Sequence, residues 1–165
     1  MNRFYIISAL ILVGILTSCN SSLRIYSDLE ETAPFSSYKT YTFLDFTDGN
    51  KKTITGMELE RIRVAFAREI EQKGLRFSEN GPDLTVQITV YHREALDHSY
   101  YYYPTRKYME RAIAVDLFDT RTKKHVWHCA AVGELTYDPT RRTENLPVVV
   151  KEIFDKYPVQ PAVAP

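Results

Sequence analysis

The chain has 165 residues, with 21 Lys+Arg balanced by 21 Asp+Glu, and 44% of its residues are hydrophobic. That length suits one ordinary domain with enough chain to bury a core, and the even charge leaves no electrostatic footprint for nucleic acid or for an acidic surface. There are only two cysteines, Cys19 and Cys129, which excludes a disulfide-stapled scaffold.

The chain opens with Met1-Asn2-Arg3, one positive charge, ahead of an apolar run over residues 4–16 in which Ser8 is the one clearly polar side chain. This is the shape of a secretory signal peptide, and 13 residues fall short of the roughly 20 that a helix needs to cross a hydrocarbon core. The segment Leu16-Thr17-Ser18-Cys19 resembles the lipobox of bacterial lipoproteins: an aliphatic residue, two small residues and a cysteine. The resemblance implies a signal peptide over 1–18, a diacylglyceryl group on the Cys19 sulfur, and two or three acyl chains of the palmitate type in all. That many chains hold a protein stably at a bilayer. Asn20 follows the cysteine where an Asp would imply inner-membrane retention, so the expected place is the outer membrane, facing the periplasm.

Removing 18 residues from 165 leaves 147. With Cys19 acylated, Cys129 has no partner for an internal disulfide, and its apolar neighbours Trp127, Ala130, Ala131 and Val132 point to a buried, inert thiol. Residues 19–22 form a tether of at most about 14 Å, which would hold the domain close to the membrane.

In chain order, residues 23–26 read as a first strand and 38–46 as a second, closed by a turn at 47–50. The spacing of Leu59, Ile62, Phe66 and Ile70 predicts an amphipathic helix over 56–73. Thr55 and Glu58 fit a capping box, Ile54 and Leu59 a hydrophobic staple, and Gly74 a left-handed cap with Leu75 folding back toward Ile70. Strict alternation over 83–92 puts Leu84, Val86, Ile88 and Val90 on one face of a strand. Further strands are expected over 111–118 and 125–135, joined by a hairpin loop at 119–124. Leu146, Val149, Val150, Ile153 and Tyr157 space a second helix with Pro147 in its first turn, stopped by Pro158. Residues 159–165 are expected as an extended Pro-rich tail. The order β-β-α-β-β-β-α predicts a single α+β domain over 23–158, an antiparallel sheet of about five strands with two helices packed on one face.

These landmarks resemble a family of bacterial envelope lipoproteins known as domain of unknown function 4136. The residues concerned are Phe35-Ser36-Ser37-Tyr38-Lys39-Thr40-Tyr41, Gly81-Pro82-Asp83-Leu84, Val115-Asp116-Leu117-Phe118-Asp119 with Val126-Trp127 across the hairpin, and the run from Phe154 to Pro158. The resemblance implies an exported, membrane-tethered α+β domain with no established activity.

Chemistry is sparse. His125 and His128 lie three apart on a predicted strand, which would point them to opposite faces and gives no shared metal site. No phosphate loop, nucleophile elbow or zinc-protease helix occurs, so no catalytic residue and no cofactor is expected. Asp116 and Glu134 could meet across the meander, although two strand carboxylates are more often solvated or paired with arginine. The unusual stretch is Tyr100, Tyr101, Tyr102 and Tyr103 before Pro104, in a loop expected over 96–108. Tyrosines suit a contact patch for an envelope protein or glycan, or an anchor at headgroup level, and alternately they could simply prolong the neighbouring strands. The sequence thus favours a non-enzymatic binding or assembly module joined to the membrane through its lipid. The alternative is a small envelope hydrolase or ligand-binding domain, which a deep pocket with convergent polar groups would favour.

Overall fold

A computed structural model describes residues 23–44, 54–97 and 106–159. The lipobox with Cys19, the turn at 47–50 and Tyr100 to Tyr103 lie outside the described residues.

The elements are β1 (Arg24–Leu29), a 3₁₀ turn (Phe35–Ser37), β2 (Thr40–Phe43), α1 (Gly56–Gln72), β3 (Arg76–Phe77), β4 (Leu84–Asp97), β5 (Arg106–Asp119), β6 (His125–Glu134) and α2 (Pro139–Phe154). They build one six-stranded sheet in the order β1-β6-β5-β4-β2-β3. The α+β class and the two helices match expectation, but the sheet is mixed rather than antiparallel. The segments β1, β6, β5 and β4 pair antiparallel, whereas β2 runs parallel to both β3 and β4. A helix placed directly after β2 explains this. A strand–helix–strand connection brings the next strand back alongside in the same direction, and β3, only two residues long, has no periodicity to announce it.

Leu84, Val86, Ile88 and Val90 of β4, Ile113, Val115 and Leu117 of β5, and Trp127, Cys129 and Ala131 of β6 form the buried face. Ile62, Phe66 and Ile70 of α1, with Leu146, Val150, Ile153 and Phe154 of α2, complete the same core. Burial of this many aliphatic and aromatic side chains, at about 25 cal/mol per Å² of apolar surface, supplies the dominant favourable term in folding.

Both ends of α1 lie where the sequence signalled. The Thr55 side chain accepts from the Glu58 N–H at 3.2 Å, Gly74 has φ +88°, and the Leu75 N–H reaches the Ile70 carbonyl at 3.4 Å. The second helix begins earlier than expected. Asp138 caps it by accepting from the Thr140 N–H at 2.8 Å, Pro139 occupies its first turn, and Pro147 lies in its interior. The polar stretch between Pro139 and Asn145 has no apolar stripe of its own, so spacing alone could not show it as helix.

β4 and β5 also run on past their expected ends, pairing as far as Asp97↔Arg106, so that residues 96–97 and 106–108 are strand rather than loop. Val159, expected in the tail, packs partly buried against the core.

The quoted family landmarks turn out to be pins at one end of the sheet. Asp83 accepts from the Lys39 N–H at 2.8 Å and the Thr40 N–H at 3.0 Å, fastening β2 to the start of β4. Asp119 accepts from the Tyr38 hydroxyl at 2.9 Å and the Thr122 N–H at 2.7 Å, fixing the β5–β6 turn. Each of these carboxyls is held below its usual range, Asp83 chiefly by the Lys39 N–H and Asp119 chiefly by the Thr122 N–H.

Candidate functional site

At the opposite end of the core, a half-open groove of 940 Å³ lies between the first turns of α1, the α2 helix and the sheet. Ile62, Ile113, Ala131, Leu146 and Val149 supply apolar lining. Met57 and Val148, which also line it, are 70% and 56% exposed. Leu23, the residue entering β1, lines the same groove and lies close enough to Gly133 that a Cβ there would meet its Cδ1 at 3.2 Å.

Three ionic side chains meet here. Glu58 Oε1 accepts from Arg111 Nη1 at 2.7 Å and from Arg142 Nε at 3.3 Å. The capping box is therefore only half formed: the Thr55 arm is made, and the Glu58 carboxylate turns to the two guanidiniums. Burial works to raise the Glu58 carboxyl, but Arg111 and Arg142 outweigh it and hold the group below the usual carboxylate range. Arg142 Nη1 also donates to the carbonyls of Thr136 at 2.9 Å and Tyr137 at 2.8 Å, and Arg61 Nη1 donates to Thr143 Oγ1 at 3.1 Å, tying α1 to α2.

The Arg111 side chain is 12% exposed, and its Nε–H is buried with no acceptor among the described residues. Beside it in register is His92, also on the core-facing side of its strand. Burial first, and then the Arg111 charge, lower the His92 imidazole below its ordinary range. The groove lining holds three arginines, Arg61, Arg111 and Arg142, and three carboxylates, Glu58, Glu134 and Glu152, with Glu58 paired to Arg111 and Arg142. This arrangement can hold an apolar body against the helices and an acceptor or anionic group against arginine.

Glu58, Ile62, Leu146, Val149 and Glu134 were singled out in the sequence for helix ends, helix stripes and a strand carboxylate, but not as a groove, and Arg111 and Arg142 were not singled out at all. The signal was present as residues out of character with their face: Arg111 stands in phase with Ile113, Val115 and Leu117, and His92 in phase with Leu84, Val86, Ile88 and Val90. A charged or titratable residue on a core-facing stripe needs a partner or a task.

The histidine pair corrects the sequence reading directly. His125 and His128 face the same side, because Leu117 pairs with Trp127 and Phe118 with His125, leaving Val126 as an extra residue in a β-bulge. Asp116 Oδ1 lies 2.7 Å from His128 Nδ1 and 3.0 Å from His125 Nε2. Asp116 and Glu134 do not meet: Asp116 stands opposite His128, and Glu134 opposite Glu110. Glu110, 2% exposed, is paired with Arg24 and with Arg93. Cys129 is fully buried, and burial pushes its thiol up to about 11, as expected of an inert cysteine.

Among the described residues no helix is long and apolar enough to cross a membrane. A search of curated proteins found no match. Among solved structures, a PDZ domain protein from Parabacteroides distasonis superposes with a TM-score of 0.55 at 17% identity. The match covers 84% of this chain and 37% of that one, so the chain spans little more than a third of that protein. A PelC dodecamer from Paraburkholderia phytofirmans gives a TM-score of 0.46 at 9% identity over 81% of this chain and 93% of its own. A minor lipoprotein from Acinetobacter baumannii gives 0.43 at 9% identity over 72% and 91%. The first shares the fold; the other two are too distant to carry more. The family profile described as domain of unknown function (DUF4136) matches residues 25–159, and the chain belongs to that family.

Proposed function

We propose that this protein is a binding module of the bacterial cell envelope, held to the membrane by lipid on Cys19, whose groove takes an amphiphilic ligand with an anionic or acceptor head. The observation that carries the groove reading is the 940 Å³ groove itself, lined by Ile62, Ile113, Leu146 and Val149 with Arg111 and Arg142 beside them, whose mouth exposes Met57 and Val148. The lipobox supports the anchor, and the outer membrane facing the periplasm is the location it favours. Tyr100 to Tyr103 belong to this proposal as a candidate second contact, joined to the end of the β4–β5 ribbon.

Titration of the mature chain with dansyl-undecanoic acid, an anionic amphiphile, tests the groove. Saturable binding of one probe per chain is expected, weakened at least tenfold by Val149→Trp, which fills the groove, and by Arg142→Gln, which removes a guanidinium. Binding indifferent to both substitutions would reject the site. The anchor is tested separately by metabolic labelling with an alkyne-bearing fatty acid: label should be lost in Cys19→Ala, and label that persists would reject Cys19 as the attachment point.

A further inference from the structure

We infer that Asp116, His125 and His128 form a binding site for a borderline divalent transition-metal ion, Zn²⁺ or Cu²⁺ rather than Mg²⁺ or Ca²⁺, on the sheet face opposite the helices. One donor atom from each of the three residues lies within 4.8 Å of the others. A tetrahedral zinc ion with bonds of about 2.0–2.1 Å places its ligand atoms about 3.3 Å apart. Asp116 Oδ1 is already 2.7 Å from one imidazole nitrogen and 3.0 Å from the other. His125 Nε2 also lies 3.0 Å from the Trp127 carbonyl, a contact that metal coordination would replace, and the widest donor pair is at most 4.8 Å apart, a separation that side-chain rotation adjusts. Two imidazole nitrogens and one carboxylate oxygen are a donor set for Zn²⁺ and Cu²⁺, whereas Mg²⁺ and Ca²⁺ prefer oxygen donors throughout.

The backbone goes out of its way to produce this set. On an unbroken strand residues three apart face opposite sides; the bulge at Val126 turns His125 back onto the face of His128, next to Asp116 on β5. The His125 ring is further fixed by Phe118, stacked on it with centroids 4.8 Å apart and planes at 28°. Fixing of a ligand ring by its surroundings is what raises metal affinity.

Stability does not account for the arrangement. The His125, His128 and Asp116 side chains are 45%, 37% and 19% exposed, and contacts so placed, which are ion pairs only when the imidazoles are protonated, contribute about 0–1 kcal/mol. The same exposure leaves the remaining coordination positions open to water or to a donor from another molecule.

The test is calorimetric titration of tag-free, metal-stripped mature chain with ZnCl₂ and, in a separate run, CuCl₂, with MgCl₂ as the comparison. One ion per chain is expected, with His125→Ala, His128→Ala and Asp116→Asn each weakening binding at least tenfold. Imidazole proton resonances of the unmutated protein, followed by NMR during zinc addition, provide a second readout should a variant lose its fold. His125 and His128 should shift or broaden together at one equivalent. Absence of saturable zinc and copper binding, binding unchanged in folded variants, or perturbation of other histidines alone would overturn the proposal.

Discussion

Trp127 is the side chain on which most of the core converges. It is 1% exposed, its ring lies 5.5 Å from Phe154 and 5.4 Å from Tyr157, and its Nε1–H donates to Ser27 Oγ at 3.1 Å. Trp127→Ala should destabilise the fold by about 3–5 kcal/mol, and Trp127→Phe, which leaves Ser27 without its donor, by about 1–2 kcal/mol; urea unfolding followed by circular dichroism measures both. The apolar neighbourhood of Trp127 was legible in the sequence, as was the burial of Cys129. The partners of Glu58 were not: Arg111 and Arg142 stand 53 and 84 residues away, and a guanidinium that reaches across the fold leaves no local spacing to read. The pairing of His125 with His128 escaped for a different reason, since a single bulged residue reverses the face on which alternation would place a side chain.

At the scale of elements, end signals proved more reliable than interiors. For α1, the Thr55 cap and Gly74 bound the helix within a residue or two of where spacing placed it, because each answers a backbone requirement of the helix end itself. Thr55→Ala should cost about 1 kcal/mol and Gly74→Ala, forced to φ +88°, about 1 kcal/mol or more, each read as a lowered urea midpoint with an unchanged slope. In α2 the same kind of signal, Asp138-Pro139, was present but was outweighed by Pro147, which looked like a start. Pro147 has no N–H to offer the carbonyl of Thr143. Since it is exposed, Pro147→Ala should stabilise the helix by up to about 3 kcal/mol, raising the same midpoint; a fall would mean that the helix path set by Pro147 is itself required for packing against α1. The mixed sheet was legible in principle from the helix after β2. The two-residue β3, at the sheet edge, was not.

For the whole molecule, the buried and pinned titratable groups fix how stability responds to acid. Glu58, Asp83 and Asp119 have folded values below their ordinary 4.5, 3.8 and 3.8. Their contribution is complete above those ordinary values and is lost as pH falls through the lowered folded ones. His92 is lowered below its ordinary 6.5, so on acidification the unfolded chain takes up a proton there before the folded one does. Stability should therefore be flat near pH 7–8, begin to decline near 6.5 and fall more steeply below 4.5. His92→Gln should remove the upper part of the decline and Asp83→Asn part of the lower, measured as urea midpoints across that range; an upper decline that survives in His92→Gln would assign it elsewhere.

The edge position of β1 has a mechanical consequence. Its six residues are zipped to β6 alone, from Arg24↔Val132 to Leu29↔Trp127, and the chain enters this strand at Leu23, on the rim of the groove. A pull on the N-terminal segment, directed away from the sheet, loads those pairs one after another beginning at Arg24, rather than all together. The first pair to part takes Leu23 from the groove wall and withdraws one guanidinium from Glu110, leaving Arg93 to hold a carboxylate that is 2% exposed. On the proposed anchoring and groove binding, tension at the N-terminal segment and occupancy of the groove are coupled through β1, which a single row of pairs with β6 holds in the sheet.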